Sequence, residues 1–116
     1  MKHCNDFRYD LEIGKQSENE LSLILQDTTI EVKDDSKHSA KTGNVFIEYE
    51  SRNKPSGIST TQATHWAIKT SSNTFVIICT ERLKEIARKY IGTDRDVLGG
   101  DNNTSKGILV PREELL

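Results

Sequence analysis

Cysteine is scarce in this chain: 2 in 116 residues, Cys4 and Cys79. One pair cannot build the disulfide framework that replaces a core in small secreted domains. Cys79 ends the apolar run Phe75-Val76-Ile77-Ile78 and reads as a small buried hydrophobe. The 3 histidines are isolated, so no zinc-ligand spacing exists. No apolar run approaches the roughly 20 residues of a membrane helix. The start, Met1-Lys2-His3-Cys4, does not open into the apolar stretch of a signal peptide. These absences lead to the expectation of a cytoplasmic protein without a membrane partner. An excess of positive charge is also missing. The net charge is -2, whereas nucleic-acid binders are usually basic. Acids gathered at one site would leave the remaining surface closer to neutral, and residues 82–89 are locally basic.

Hydrophobic residues make up 34% and charged residues 29%. The length suits one core, so residues 1–116 are expected to form a single domain. The alternation Phe7, Tyr9, Leu11, Ile13 suggests an edge strand. Ser17-x-x-Glu20 has capping-box spacing and predicts a helix over about 18–26, burying Leu21, Ile24 and Leu25. A strand over about 28–34 and a polar turn over 34–43 follow. The clearest strand is 44–51, with Val45, Ile47 and Tyr49 on one face and Phe46, Glu48 and Glu50 on the other. Pro55 and Gly57 mark a loop. Ser59-x-x-Gln62 predicts a short helix through Lys69 that buries Ala63, Trp66 and Ala67. Residues 74–79 read as a central strand buried on both faces, and 81–91 as a helix closed by Gly92. Residues 92–107, rich in Gly, Asp and Asn, are expected to be a mobile loop, and 107–111 a last short strand. The order predicts an α/β domain, a mixed sheet flanked by helices.

Four acids stand out. Glu48 and Glu50, two apart on a strand, leave the same face of a regular strand with Cα atoms about 6.5–7 Å apart. Asp35 ends the preceding strand, and a hairpin between the two strands would carry it toward them. Parity favours Asp35 over Asp34 as the acid on that face. Glu20 falls between Leu23 and Ile24 on a helical wheel, inside the apolar arc. A carboxylate there calls for a metal or a shifted pKa, although the capping box with Ser17 explains it equally well. Carboxylates that converge in this way suit Mg²⁺, which activates water and offsets charge on a leaving oxygen. A merely solvated strand face is the competing reading of Glu48 and Glu50.

Helix acid, strand, Asp at the strand end, then Glu-x-Glu on the next strand resembles the PD-(D/E)XK nuclease superfamily. The segments Ile30-Glu-Val-Lys-Asp-Asp, Thr42-Gly-Asn-Val-Phe-Ile-Glu-Tyr-Glu, Ser56-Gly-Ile-Ser-Thr-Thr and Trp66 look like small single-domain nucleases of phages and bacteria. The resemblance implies a restriction-endonuclease-like α-β-β-β-α-β core and Mg²⁺-dependent cleavage of DNA, with Mn²⁺ as a substitute. It implies that Asp35 and Glu48 bind metal and that Glu20 assists directly or through water. Glu50 would bind a second metal or orient the water. The pattern's usual lysine is replaced by Glu50, so Lys33 and Lys54 become candidates for a displaced positive charge. The strict Pro-Asp dipeptide is absent.

Lys54, Ser59, Thr60 and Gln62 are the candidate DNA contacts. For Ser59 and Thr60 the route would be free backbone N–H groups at a helix start, with simple capping as the alternative. The resemblance further implies a homodimer, a junction-resolvase-like subtype among the options, and the host cytoplasm for a phage-encoded chain. The alternative function is a nuclease fold whose chemistry is lost, leaving a DNA- or protein-binding module.

Overall fold

The computed structural model describes residues 15–116. The alternating segment Phe7–Ile13 lies outside them. Helix α1, Lys15–Leu25, buries Ile24 but leaves Leu23 exposed. It begins at Lys15, so Ser17 lies inside the helix rather than at the expected N-cap position. Strand β1, Ile30–Asp34, leads into α2, Ser36–Thr42, where a polar turn was expected. The sequence of α2, Ser-Lys-His-Ser-Ala-Lys-Thr, has no large apolar residue and no legible stripe. It is held at its ends. The Asp34 carboxylate accepts bonds from Ser36 N–H and Ser36 Oγ, and Gly43, at φ 77°, closes the last turn by donating to Ser39 O.

β2 is Asn44–Ser51, β3 Lys54–Pro55, β4 His65–Ser71 and β5 Thr74–Cys79. Helix α3, Thr80–Arg88, follows, then β6, Asp96–Gly99, and β7, Ser105–Pro111. The expected helix through Lys69 is therefore a strand preceded by a loop with a 3-10 turn at Gly57–Ser59. The expected mobile loop at 92–107 contains β6 and the start of β7.

The strands form two sheets rather than one. The first, β1-β4-β5, is mixed: β1 is parallel to β4, and β5 antiparallel. The second, β3-β2-β7-β6, is antiparallel throughout. The anticipated hairpin between β1 and β2 does not form, because the two strands lie in different sheets. Among the described strands β5 lies at an edge, with Phe75 exposed, rather than at the centre expected of it, and β4 is the central one. His65, Trp66, Ala67 and Ile68 are all buried, as befits a strand covered on both faces.

One core joins the sheets. Trp66, Ile68 and Ile78 come from the first, Val45, Ile47, Ile108 and Val110 from the second, and Leu83, Ile86 and Ala87 from α3. Each fully buried aliphatic side chain contributes about 1.5–3 kcal/mol. On the far face of the second sheet the Phe46 ring lies across Gly107, where a Cβ would stand 2.5 Å from Phe46 Cζ. Cys79 is buried, as its apolar run suggested, and it is disulfide-bonded. Among the described residues no helix is long and apolar enough to cross a membrane.

Candidate functional site

The chain separates the two adjacent acids at the end of β1. Asp34 turns back into the first turn of α2. Its carboxyl is held below the ordinary value, mainly by the Ser36 hydroxyl and N–H. Asp35 occupies the N-cap position of α2 but does not cap it. Its Oδ2 instead accepts the N–H of Phe46 at 2.8 Å, with His38 Nδ1 at 3.4 Å. The Asp35 side chain is only 13% exposed. Among the described residues β3 pairs only with Glu50 and Ser51 of β2, and Asp35 supplies a partner to the edge before them. An edge contact thus brings Asp35 to β2 in place of the hairpin.

Glu48 follows two residues after Phe46 and shares its face. It is half-buried, and its Oε2 accepts the Ser56 hydroxyl at 2.8 Å. Ser56 lies in the loop after β3, at the entry to the 3-10 turn, and Ser56 N–H donates to Tyr49 O. Gly57 makes this closure fit. Its φ is +54°, and a Cβ there would stand 2.3 Å from Glu48 O.

Glu50 departs from the expected arrangement. The pairing of β2 with β7 slips between Glu48 and Glu50, so that Glu48 faces Gly107 and Glu50 faces Lys106. Adjacent residues on β7 point to opposite faces, so Glu48 and Glu50 do too. A β-bulge at Tyr49 produces this. The Glu50 carboxylate meets Lys106 Nζ at 3.4 Å.

Glu20 is half-buried on α1. Among the described residues no three acids, histidines or cysteines converge as a metal-holding group. Asp35 is bonded to the β2 backbone and Glu48 stands on β2, and among the described residues neither Glu20 nor Glu50 completes a cluster with them.

Lys54, Ser59, Thr60 and Gln62 are all exposed along the segment after β2. The backbone N–H groups of Ser59 and Thr60 donate to Ser56 O and Gly57 O, so the expected free N–H groups at a helix start are engaged. The Ser59 hydroxyl donates to Tyr49 O. His65 is buried on β4, and burial lowers its pKa. Lys69 reaches over the Phe75 ring.

Two contributors escaped sequence reasoning. Ser56 orients Glu48, and its only signal was a hydroxyl in a Pro/Gly loop. Tyr49 donates to Asp96 Oδ1 at 2.6 Å, joining β2 to β6 across 47 positions. No local pattern encodes such a pair.

The class defined by these features is a two-sheet, mixed α/β protein in which Asp35 accepts the Phe46 N–H of β2 and Glu48 lies two residues further along that strand. No family model, curated protein or solved structure matches the chain.

Proposed function

We propose that this protein is a metal-dependent DNA nuclease of the PD-(D/E)XK, restriction-endonuclease-like type, with Asp35 and Glu48 as its metal-binding pair. One observation carries the reading. Asp35 is fastened to β2 through Phe46 N–H, two residues before Glu48, and both acids are held on one side only. Asp35 Oδ1 and Glu48 Oε1 accept no hydrogen bond among the described residues. Two carboxylates suffice for Mg²⁺, which keeps several waters. Mg²⁺ or Mn²⁺, when bound, lowers the pKa of a water and offsets charge on the leaving oxygen. The chain's own part is positioning: Phe46 N–H and His38 fix Asp35, and Ser56 fixes Glu48. Glu50, turned to the other face, pairs with Lys106 rather than with metal. Lys54, Ser59, Thr60 and Gln62 offer an exposed polar track beside Glu48 for the DNA backbone. A homodimer would place two such sites for a double cut or a branched junction.

The second reading is a binding module with the nuclease chemistry lost. The absence of a third converging acid among the described residues favours it. The deciding experiment incubates supercoiled, linear and four-way-junction DNA with Mg²⁺, Mn²⁺ or EDTA, alongside Glu48→Ala. The nuclease reading expects metal-dependent cuts that vanish in a folded Glu48→Ala protein. Cutting that survives the substitution overturns it. DNA bound but never cut supports the binding module.

A further inference from the structure

A cleft of about 300 Å³ lies between α3 and the second sheet, where Tyr49 and Ile108 face Lys84, Ala87 and Arg88. Its lining is apolar, from Tyr49, Ile58, Ile91 and Ile108, with Lys84 and Arg88 from α3 as its charged groups and no acid. Ile91, which lines this cleft, is 52% exposed. Lys84 and Arg88 are four apart on α3, so their like charges face one another and destabilise the helix slightly. Neither forms an ion pair among the described residues. Glu85 opens instead onto a separate groove with Arg82 and Lys89. Two unneutralised cations above an apolar floor match an anion that carries a flat apolar body.

The loop after β3 joins this cleft to Glu48. Ser56 bonds the Glu48 carboxylate, Ile58 lines the cleft, and Ser59 bonds Tyr49 O between them. A strand lying along Glu48 would therefore reach the cleft within the span of a few residues. We infer that the cleft holds one nucleotide of a nucleic-acid strand, with the base on Ile58, Ile91 and Tyr49 and the adjoining phosphate on Lys84 and Arg88. The volume is at the lower end for ligand pockets and suits a single ring system rather than a folded peptide. A guanidinium matches phosphate through paired N–H donors. The inference takes from the nuclease proposal only that the ligand is nucleic acid.

The test is anisotropy of a labelled single-stranded oligonucleotide with the full chain in EDTA, where no cleavage can occur. The protein is compared with Lys84→Ala/Arg88→Ala and with Ile91→Asp, which sets an acid at the mouth of the cleft from an exposed position. The expected result is at least tenfold weaker binding in both variants. The double variant should also flatten the plot of log affinity against log salt by roughly 0.7 per lost phosphate contact. An acidic peptide and inorganic phosphate serve as competitors. Undiminished binding by both variants overturns the inference, as does no DNA binding by the unmodified protein. An acidic peptide that displaces the oligonucleotide at equal concentration assigns the cleft to protein instead and overturns it too. Binding that weakens as expected in a protein that never cuts DNA supports the cleft while removing the nuclease reading, so the two fail separately.

Discussion

Asp35 does two jobs that a single substitution can separate. Its Oδ2 satisfies the Phe46 N–H at an open strand edge, and its other oxygen is the proposed metal ligand. Asparagine keeps an acceptor oxygen but removes the charge. Asp35→Asn should therefore unfold within about 1 kcal/mol of the parent, whereas Asp35→Ala, which orphans a part-buried N–H, should lose about 1–3 kcal/mol. Urea denaturation measures both. Under the nuclease reading, metal-dependent cutting should vanish in Asp35→Asn although the fold persists. Tyr49 gives a pH signature at the same scale. Its phenol is pushed up to about 12, first by donating to Asp96 and then by burial. The folded value lies above the unfolded one of about 10, so the folded state holds this proton more tightly. That contribution is complete below pH 10 and disappears as pH rises through 12. Stability measured from pH 9 to 12 should fall more steeply in the parent than in Tyr49→Phe. Parallel curves would show that the hydroxyl of Tyr49 is not linked to folding.

Legibility differed by element, for physical reasons. α1, β1, β2, β5, α3 and β7 follow patterns that periodicity detects, and the expected β2, 44–51, agrees with Asn44–Ser51. β4 was mistaken for a helix because Ala63, Trp66 and Ala67 repeat at helical spacing. A central strand buried on both faces has no alternation to contradict that. α2 has no apolar stripe at all, since its stability comes from Asp34 and Gly43 at its ends. Of the candidate site, Asp35 and Glu48 were legible as residues, but their route together was not. Strand parity also failed at Glu50, because a bulge is set by the partner strand and not by local composition. The loop at 56–59 supplies a test at this scale. Gly57 has both positive φ and no room for a Cβ beside Glu48 O. Gly57→Ala should cost at least about 1–3 kcal/mol, read by thermal melting. Because Ser56 must shift with it, Glu48 should lose its hydroxyl partner. A Gly57→Ala protein as stable as the parent would contradict the closure.

At the scale of the molecule, two sheets of different construction share one core. The edge contact of Asp35 with β2 matters only if those sheets stay in fixed relation. The shared core supplies that constraint, because Ile47 and Ile108 of the second sheet lie in one cluster with Trp66 and Ile68 of the first. The chain has a single tryptophan, so fluorescence reports on the surroundings of Trp66, on the central strand of the first sheet. Ile108 is fully buried in the second sheet, paired with Ile47 and Asp96. Truncating it to alanine leaves a cavity and should cost about 2–5 kcal/mol, a large fraction of the 5–15 kcal/mol typical of a domain. If the core couples the sheets, Ile108→Ala should move the urea midpoint of Trp66 fluorescence by the same amount as that of far-UV circular dichroism. The two transitions should coincide in both proteins. A Trp66 midpoint that stays in place while the dichroism splits into two steps would mean that the sheets unfold independently. The geometry joining Asp35 to β2 would then depend on the edge contact alone.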